Sequence, residues 1–227
     1  SSAEAWSLVG EAERAGRVLM TGHVFLYNAG IEFLVRSARE QLAGNLYYLT
    51  AVRTNLGPFR YDVNAGWDLA SHDVYIFNHL LQARPTHVSA VGGSYLNRSI
   101  EDIHVSWLDP KKVRTLTLVG EKKMITWDEF GQPGPIMIYD RSVAREPRYE
   151  TFGEFQLLAR EGDVLVPRVN AQEPLATQAR AFVRRCLQGD PDDRGQARQG
   201  AEAVDVLEAA SHSLREESRR VAVQYGG

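Results

Sequence analysis

Only one cysteine, Cys186, stands in the 227 residues. It cannot close an internal disulfide or build a thiolate metal cluster, and it fits a reducing, cytoplasmic setting. Long apolar runs are lacking too. The most hydrophobic stretch, Val18 to Val35, is broken by Gly22, His23, Asn28 and Glu32, so nothing reaches the ~18–20 apolar residues of a bilayer span. The first residues carry no secretory-signal pattern. An excess of basic charge is also missing: 26 Lys plus Arg stand against 29 Asp plus Glu, for a net charge of −3. That removes the global positive field of a nucleic-acid binder. Internal repeats are absent. What is present, 44% hydrophobic and 24% charged residues, is globular composition and excludes disordered, collagen-like and coiled-coil chains. At roughly 150 residues per domain the length gives one or two domains.

The hydrophobic pattern starts with a helix. Ser2 can cap it, Glu4 suits its first turn, Ala5, Leu8, Val9 and Ala12 recur at helical spacing, and Gly16 ends it. Arg17 to Thr21 then reads as a buried strand, so this opening is the closing half of an α/β unit. A second helix spans Asn28 to Gly44, with Ile31, Leu34, Val35, Ala38 and Leu42 on one face. A strand follows from Leu46 to Thr54, then a Gly/Pro loop from Asn55 to Gly66, then a third helix from Trp67 to Ala83 stopped by Pro85. Beyond it the pattern turns extended: His87–Val91, Ile103–Leu108, Val113–Val119, Lys123–Trp127, Ile136–Tyr139 and Asp163–Val169, separated by turn residues. Two helices close the chain, about Leu175–Leu187 and Gly200–Glu217, and the tail after them reads as a fraying helix end. The class is α+β, a largely antiparallel sheet with helices on one face.

The segment Trp67-Asp68-Leu69-Ala70-Ser71-His72-Asp73-Val74-Tyr75 is the most informative chemically. Asp68 and His72 are four apart and share a helix face, which Tyr75 and His79 continue. A histidine beside a carboxylate can act as a general acid/base, because the carboxylate fixes its tautomer and raises its basicity. The same pair could hold a divalent metal, but no third ligand stands at diagnostic spacing. A capping Asp68 with a satisfied His72 is the structural alternative. Arg53, at the end of a strand, could grip a phosphate or carboxylate with its planar fork, or lie at the surface. His23 leaves a predicted strand at the end where ligands gather, which makes it a candidate to face a cofactor, although a lone histidine there is more often structural. Lys111-Lys112 and Lys122-Lys123 mark solvated turns.

Taken in order, Thr21-Gly22-His23-Val24-Phe25-Leu26-Tyr27-Asn28, Arg53-Thr54-Asn55-Leu56-Gly57, Trp67 to Asp73, Ile103-His104-Val105-Ser106-Trp107-Leu108 and Leu116-Thr117-Leu118-Val119-Gly120 resemble the Gfo/Idh/MocA family of nicotinamide-dependent sugar oxidoreductases. The nearest likeness is to its nucleotide-sugar branch. The resemblance implies hydride transfer between a sugar hydroxyl or ketone and NAD or NADP. It implies that His72 is the acid/base, that Asp68 is its neighbour, and that Arg53 and Asn55 face the sugar or its attached groups. It also implies that residues 1–27 are the tail of a Rossmann dinucleotide-binding domain. Residues 28–199 would then be a substrate-binding and oligomerisation domain, and residues 200–227 a closing helix and tail.

Two departures accompany the likeness. The family's Gly-rich turn, its Glu-Lys-Pro motif and its catalytic lysine would lie before Ser1, so the chain reads as a piece of a longer enzyme, inactive by itself. Near Asp102 about twenty residues of a strand pair are lacking, judged by ordinary hairpin lengths; a true deletion and an unobserved stretch both account for this. A non-catalytic binding or assembly module derived from the family is the rival reading. The expected partners are a nucleotide sugar or sugar and a second copy of the chain, as a dimer or a dimer of dimers; nucleic acid and membrane are not expected.

Overall fold

The computed structural model describes residues 1–57, 62–92, 105–140, 142–144, 158–160, 162–170, 172–189 and 194–226. The junction at Asp102, the preceding segment 94–101 and the loop positions 190–193 lie outside them. Helix α1 runs Ser2–Arg14. Its cap is Ser1, not Ser2: Ser1 and Glu4 form a reciprocal capping box. Ser2 instead donates its hydroxyl to Asp205 and its backbone N–H to Glu208 (2.9 Å), while Trp6 Nε1 donates to both Asp205 oxygens at 2.9 and 3.1 Å. These bonds lay α1 along the last helix.

No strand follows. Of Arg17 to Thr21 only Met20 pairs, with Gln196, and Val18 and Leu19 are exposed. β structure exists through its partners, and among the described residues this stretch has a single bridge. A short 3₁₀ turn, Val24–Tyr27, leads into α2, Ala29–Arg39. Asn28 caps α2, its Oδ1 accepting from Gly30 N (2.9 Å) and Ile31 N (3.3 Å). The helix stops short of Gly44 because Gln41 turns left-handed (φ 53°), which puts Leu42 outside the predicted face and half in solvent.

Strand β1, Leu46–Thr54, matches its expected bounds. The third helix does not start as a regular α-helix: Gly66–Ala70 is a π-turn that passes into α3, Ser71–Leu81. Gln82 ends it in the left-handed region, donating its amide to the His79 carbonyl (2.6 Å). Of the segment at 87–91, only β2, His87–Val88, is a named strand; of that at 103–108, β3 is Val105–Ser106. Strands β4 (Val113–Gly120), β5 (Met124–Asp128) and β6 (Ile136–Tyr139) fall where alternation put them. Two short strands, β7 (Ser142–Ala144) and β8 (Leu158–Arg160), pair with each other. Strand β9 is only Val164–Leu165.

Helices α4 (Pro174–Gln188) and α5 (Ala197–Arg215) follow. The tail does not fray: Val221–Ala222 forms β10, antiparallel to β2. A mixed patch of charge hid a two-residue strand too short to show a period.

The main sheet has the order β3-β1-β4-β5-β6-β9, antiparallel throughout except for β3, which runs parallel to β1. One face sends Leu116, Leu118, Ile125, Trp127, Ile136 and Ile138 into the core with Ile31, Leu34 and Ile76 of the helices. Helix α2 comes close enough to β5 that a β-carbon on Gly30 would sit 2.5 Å from Trp127 Nε1. On the other face, Val119, Met124 and Tyr139 form one cross-strand row, and Thr117, Thr126 and Met137 the next. The class, α+β with a mostly antiparallel sheet and helices on its core side, is the predicted one.

Candidate active site

Where β1 ends and α3 begins, polar side chains gather under apolar cover. Arg53 is the last core-facing residue of β1, opposite Arg114 of β4. It is 3% exposed. Its Nε and Nη2 grip Asp73 of α3 bidentately at 3.2 and 2.8 Å, and its Cζ lies 4.4 Å above the Phe25 ring. A bidentate fork onto a carboxylate is the strongest geometry an arginine offers. The surface alternative for Arg53 does not hold, because the side chain is buried on a protein carboxylate. Only Nη1 is without a hydrogen bond among the described residues. Desolvation pushes the Asp73 carboxyl above its usual value, and the Arg53 hydrogen bonds pull against it.

His72, the residue before Asp73, is half-buried. Its Nδ1 lies 3.1 Å from the hydroxyl of Tyr75, and its ring meets Phe25 edge-on at 5.0 Å. Asp68 was expected to hold this ring. It sits on the π-turn four residues earlier and accepts a bond from Trp107 Nε1 at 3.3 Å. The expected rise in basicity does not occur. Burial first, then Arg53 and Arg114, lower the His72 pKa to about 4, against the upward pull of Asp68. Desolvation of the imidazolium wins over a single carboxylate that does not bond it.

Tyr75 is buried, and its oxygen also accepts the backbone N–H of Phe25 at 3.2 Å. His23 stacks flat on its ring, centroids 3.9 Å apart and 16° between planes. His23 is therefore packed into the core side of the site. Its Nδ1 is buried without a partner among the described residues, and burial lowers its pKa to about 3. Asn55 follows β1, half-buried, with its backbone N–H on the Ser106 carbonyl at 3.0 Å.

Thus His72, Arg53 and His23 meet around Phe25 and Tyr75, while Asp68 stands on the preceding π-turn with Trp107. Sequence reasoning gave no role to Asp73, Trp107 or Phe25. Tyr75 carried the one legible signal, its place three residues after His72 on the same helix face. A separate cleft of about 270 Å³ between α3 and the start of α5 is lined by Tyr75, Asn78, His79, Gln82, Arg84 and Glu202 among others; none of the predicted site residues lines it. Among the described residues no cluster of three metal-ligating side chains occurs, and no helix is long and apolar enough to cross a membrane.

No family model and no curated protein matches the sequence. Solved structures do match in fold. They include GenD2 from gentamicin A biosynthesis in complex with NAD (20% identity, TM-score 0.73, covering 99% of this chain and 69% of that one). The UDP-N-acetylglucosamine 3-dehydrogenase GnnA of Acidithiobacillus ferrooxidans aligns at 18% identity and TM-score 0.71, over 96% of this chain and 68% of that one. An oxidoreductase from Pseudomonas syringae aligns at 13% identity and TM-score 0.69, over 99% and 69%. These neighbours are Gfo/Idh/MocA-type oxidoreductases, and the chain shares their fold.

Proposed function

We propose that this chain is the substrate-binding and assembly part of a cytoplasmic sugar oxidoreductase of the Gfo/Idh/MocA type, acting on a hydroxyl or ketone of a nucleotide sugar. The observation that carries the reading is His72. It is neutral at physiological pH, oriented through one ring nitrogen by Tyr75, and mounted on a helix start that Arg53 and Asp73 lock to the end of β1. Neutral imidazole held in one orientation suits a directed hydrogen bond to a substrate oxygen. Trp107 and Asn55, at the ends of β3 and β1, are suited to meet sugar and its attached groups. The fold is common to GenD2, whose structure holds NAD, and to GnnA, a UDP-N-acetylglucosamine 3-dehydrogenase; this supports the same substrate class here.

The cofactor of this reading is NAD or NADP. The described residues do not fit a dinucleotide cradle, which needs a Gly-rich turn between a strand and a helix N-terminus. After β1 comes Asn55-Leu56-Gly57, and after β2 the chain reaches Gly92 with no helix in the described residues beyond it until α4. Their part is to bind the sugar, exclude water and manage the oxygen of the reacting carbon.

The second reading is a non-catalytic binding or assembly module derived from the same family. The Val119–Met124–Tyr139 row on the outer sheet face supports self-association under either reading, since apolar faces are seldom left open. Turnover decides between them. The intact protein is assayed with NAD⁺ and NADP⁺ against UDP-linked N-acetyl sugars and uronates, and in reverse with their 3-keto forms. The enzyme reading expects nicotinamide turnover that His72→Ala lowers roughly 10²–10⁴-fold. No turnover with any pair, together with sugar-nucleotide binding, gives the module instead.

A further inference from the structure

The Tyr75 hydroxyl has one proton to give, and the structure accounts for where it goes. A backbone N–H can only donate, so Phe25 takes one lone pair of the phenol oxygen at 3.2 Å. The other contact of that oxygen is His72 Nδ1 at 3.1 Å. Among the described residues Tyr75 has no further partner. If Nδ1 carried the proton, the phenol would accept twice, and its own O–H, on a buried side chain, would have no acceptor among the described residues. If the phenol donates to Nδ1, both the phenol and that ring nitrogen are satisfied.

We propose that Tyr75 is the positioning residue of this site: by donating to Nδ1 it holds His72 in the tautomer with its proton on Nε2, so the ring offers the substrate oxygen an N–H and not a lone pair. This rests on the reading of His72 as the group that faces substrate. An N–H matches an oxygen that accepts, the carbonyl oxygen of a keto sugar or the negative charge that builds there as the carbonyl carbon is reduced. It does not match a hydroxyl giving up its proton, which needs an empty Nε2. The site is therefore set for the ketone form of its substrate. Three contacts hold the phenol in this position, namely the Phe25 N–H, the His23 ring stacked at 3.9 Å, and the edge of His72 itself at 5.6 Å. Burial keeps the phenol protonated by raising its pKa, and keeps His72 uncharged.

Nitrogen NMR reads the tautomer directly. The protein is labelled with ¹⁵N in its histidine rings, and two-bond proton–nitrogen correlation is recorded at pH 7. The His72 signals are identified by their loss in His72→Gln. The wild type should show His72 with its proton on Nε2 only. In Tyr75→Phe the Nδ1–H form should rise from a trace to a population comparable with the other. A wild-type His72 protonated on Nδ1 overturns the proposal, and so does an unchanged tautomer in a folded Tyr75→Phe. If that variant does not fold, the wild-type spectrum decides alone. The readout needs no turnover: normal kcat in His72→Ala would sink the functional reading while leaving the tautomer result intact.

Discussion

Arg53 and Asp73, twenty positions apart, close the site from beneath: a bidentate ion pair at 2.8 and 3.2 Å with both side chains almost fully buried. The strand end and the helix start are thereby fixed to each other, and His72, next to Asp73, inherits that fixity. Removing one partner leaves a buried charge uncompensated, which costs about 3–5 kcal/mol. Arg53→Ala should lower stability by that order, read as a drop in the urea midpoint with an unchanged slope. Arg53→Lys should recover only part of it, because an ammonium cannot make the two-pronged contact.

His72→Ala should act on turnover and spare the fold. In the intact enzyme we expect kcat to fall roughly 10²–10⁴-fold with little change in melting temperature. Near-normal kcat would remove His72 from the chemistry.

Acid should weaken the fold through its neutral histidines. Burial depresses His72 to about 4 and His23 to about 3, whereas in the unfolded chain both return to about 6.5. Below 6.5 the unfolded state binds protons that the folded state refuses. The full stability is therefore present above pH 6.5 and is lost as pH falls from 6.5 toward 4 and 3. Each residue contributes a slope of up to about 1.4 kcal/mol per pH unit. Urea titrations from pH 7 to 5 should show this decline, and His23→Gln and His72→Gln should each flatten it. A curve that stays steep in both variants would place the acid sensitivity elsewhere.

Gly30 has no room for a side chain. A β-carbon there would meet the Trp127 indole at 2.5 Å, and that ring is itself buried in the core. Gly30→Ala should destabilise by about 1–3 kcal/mol, the usual range for overpacking, despite alanine's better helix propensity. A variant as stable as the wild type in thermal melts would mean that α2 can slide on the sheet.

Self-association should run through the outer sheet face. Sedimentation at micromolar concentration is expected to give a dimer or a dimer of dimers. Met124→Arg, in the middle of the Val119–Met124–Tyr139 row, should yield monomers. A monomeric wild type would count against the interface, and an unaffected variant would move it to another surface.

Much of this molecule is written locally. Asn28 ahead of Ile31, Leu34 and Val35 determines a capped amphipathic helix, and the alternation in Val113–Val119, Lys123–Trp127 and Ile136–Tyr139 determines three strands of one sheet, because period and capping depend on residues a few places apart. The ordered segments from Thr21 to Gly120 were enough to anticipate the fold, and helical spacing was enough to put Tyr75 beside His72. Tertiary structure decided the rest, since pairing, burial and charge state depend on what arrives from far along the chain. Arg17 to Thr21 has a strand's composition but, among the described residues, only one bridge, at Met20, and forms no strand. Val221–Ala222 is one because His87–Val88 lies beside it. Arg53 looked like a surface cation until Asp73 met it in the core. His72 was read as a base sharpened by Asp68; burial made it neutral and Tyr75 became its partner, because the free energy of a charge follows its surroundings and not its neighbours in sequence.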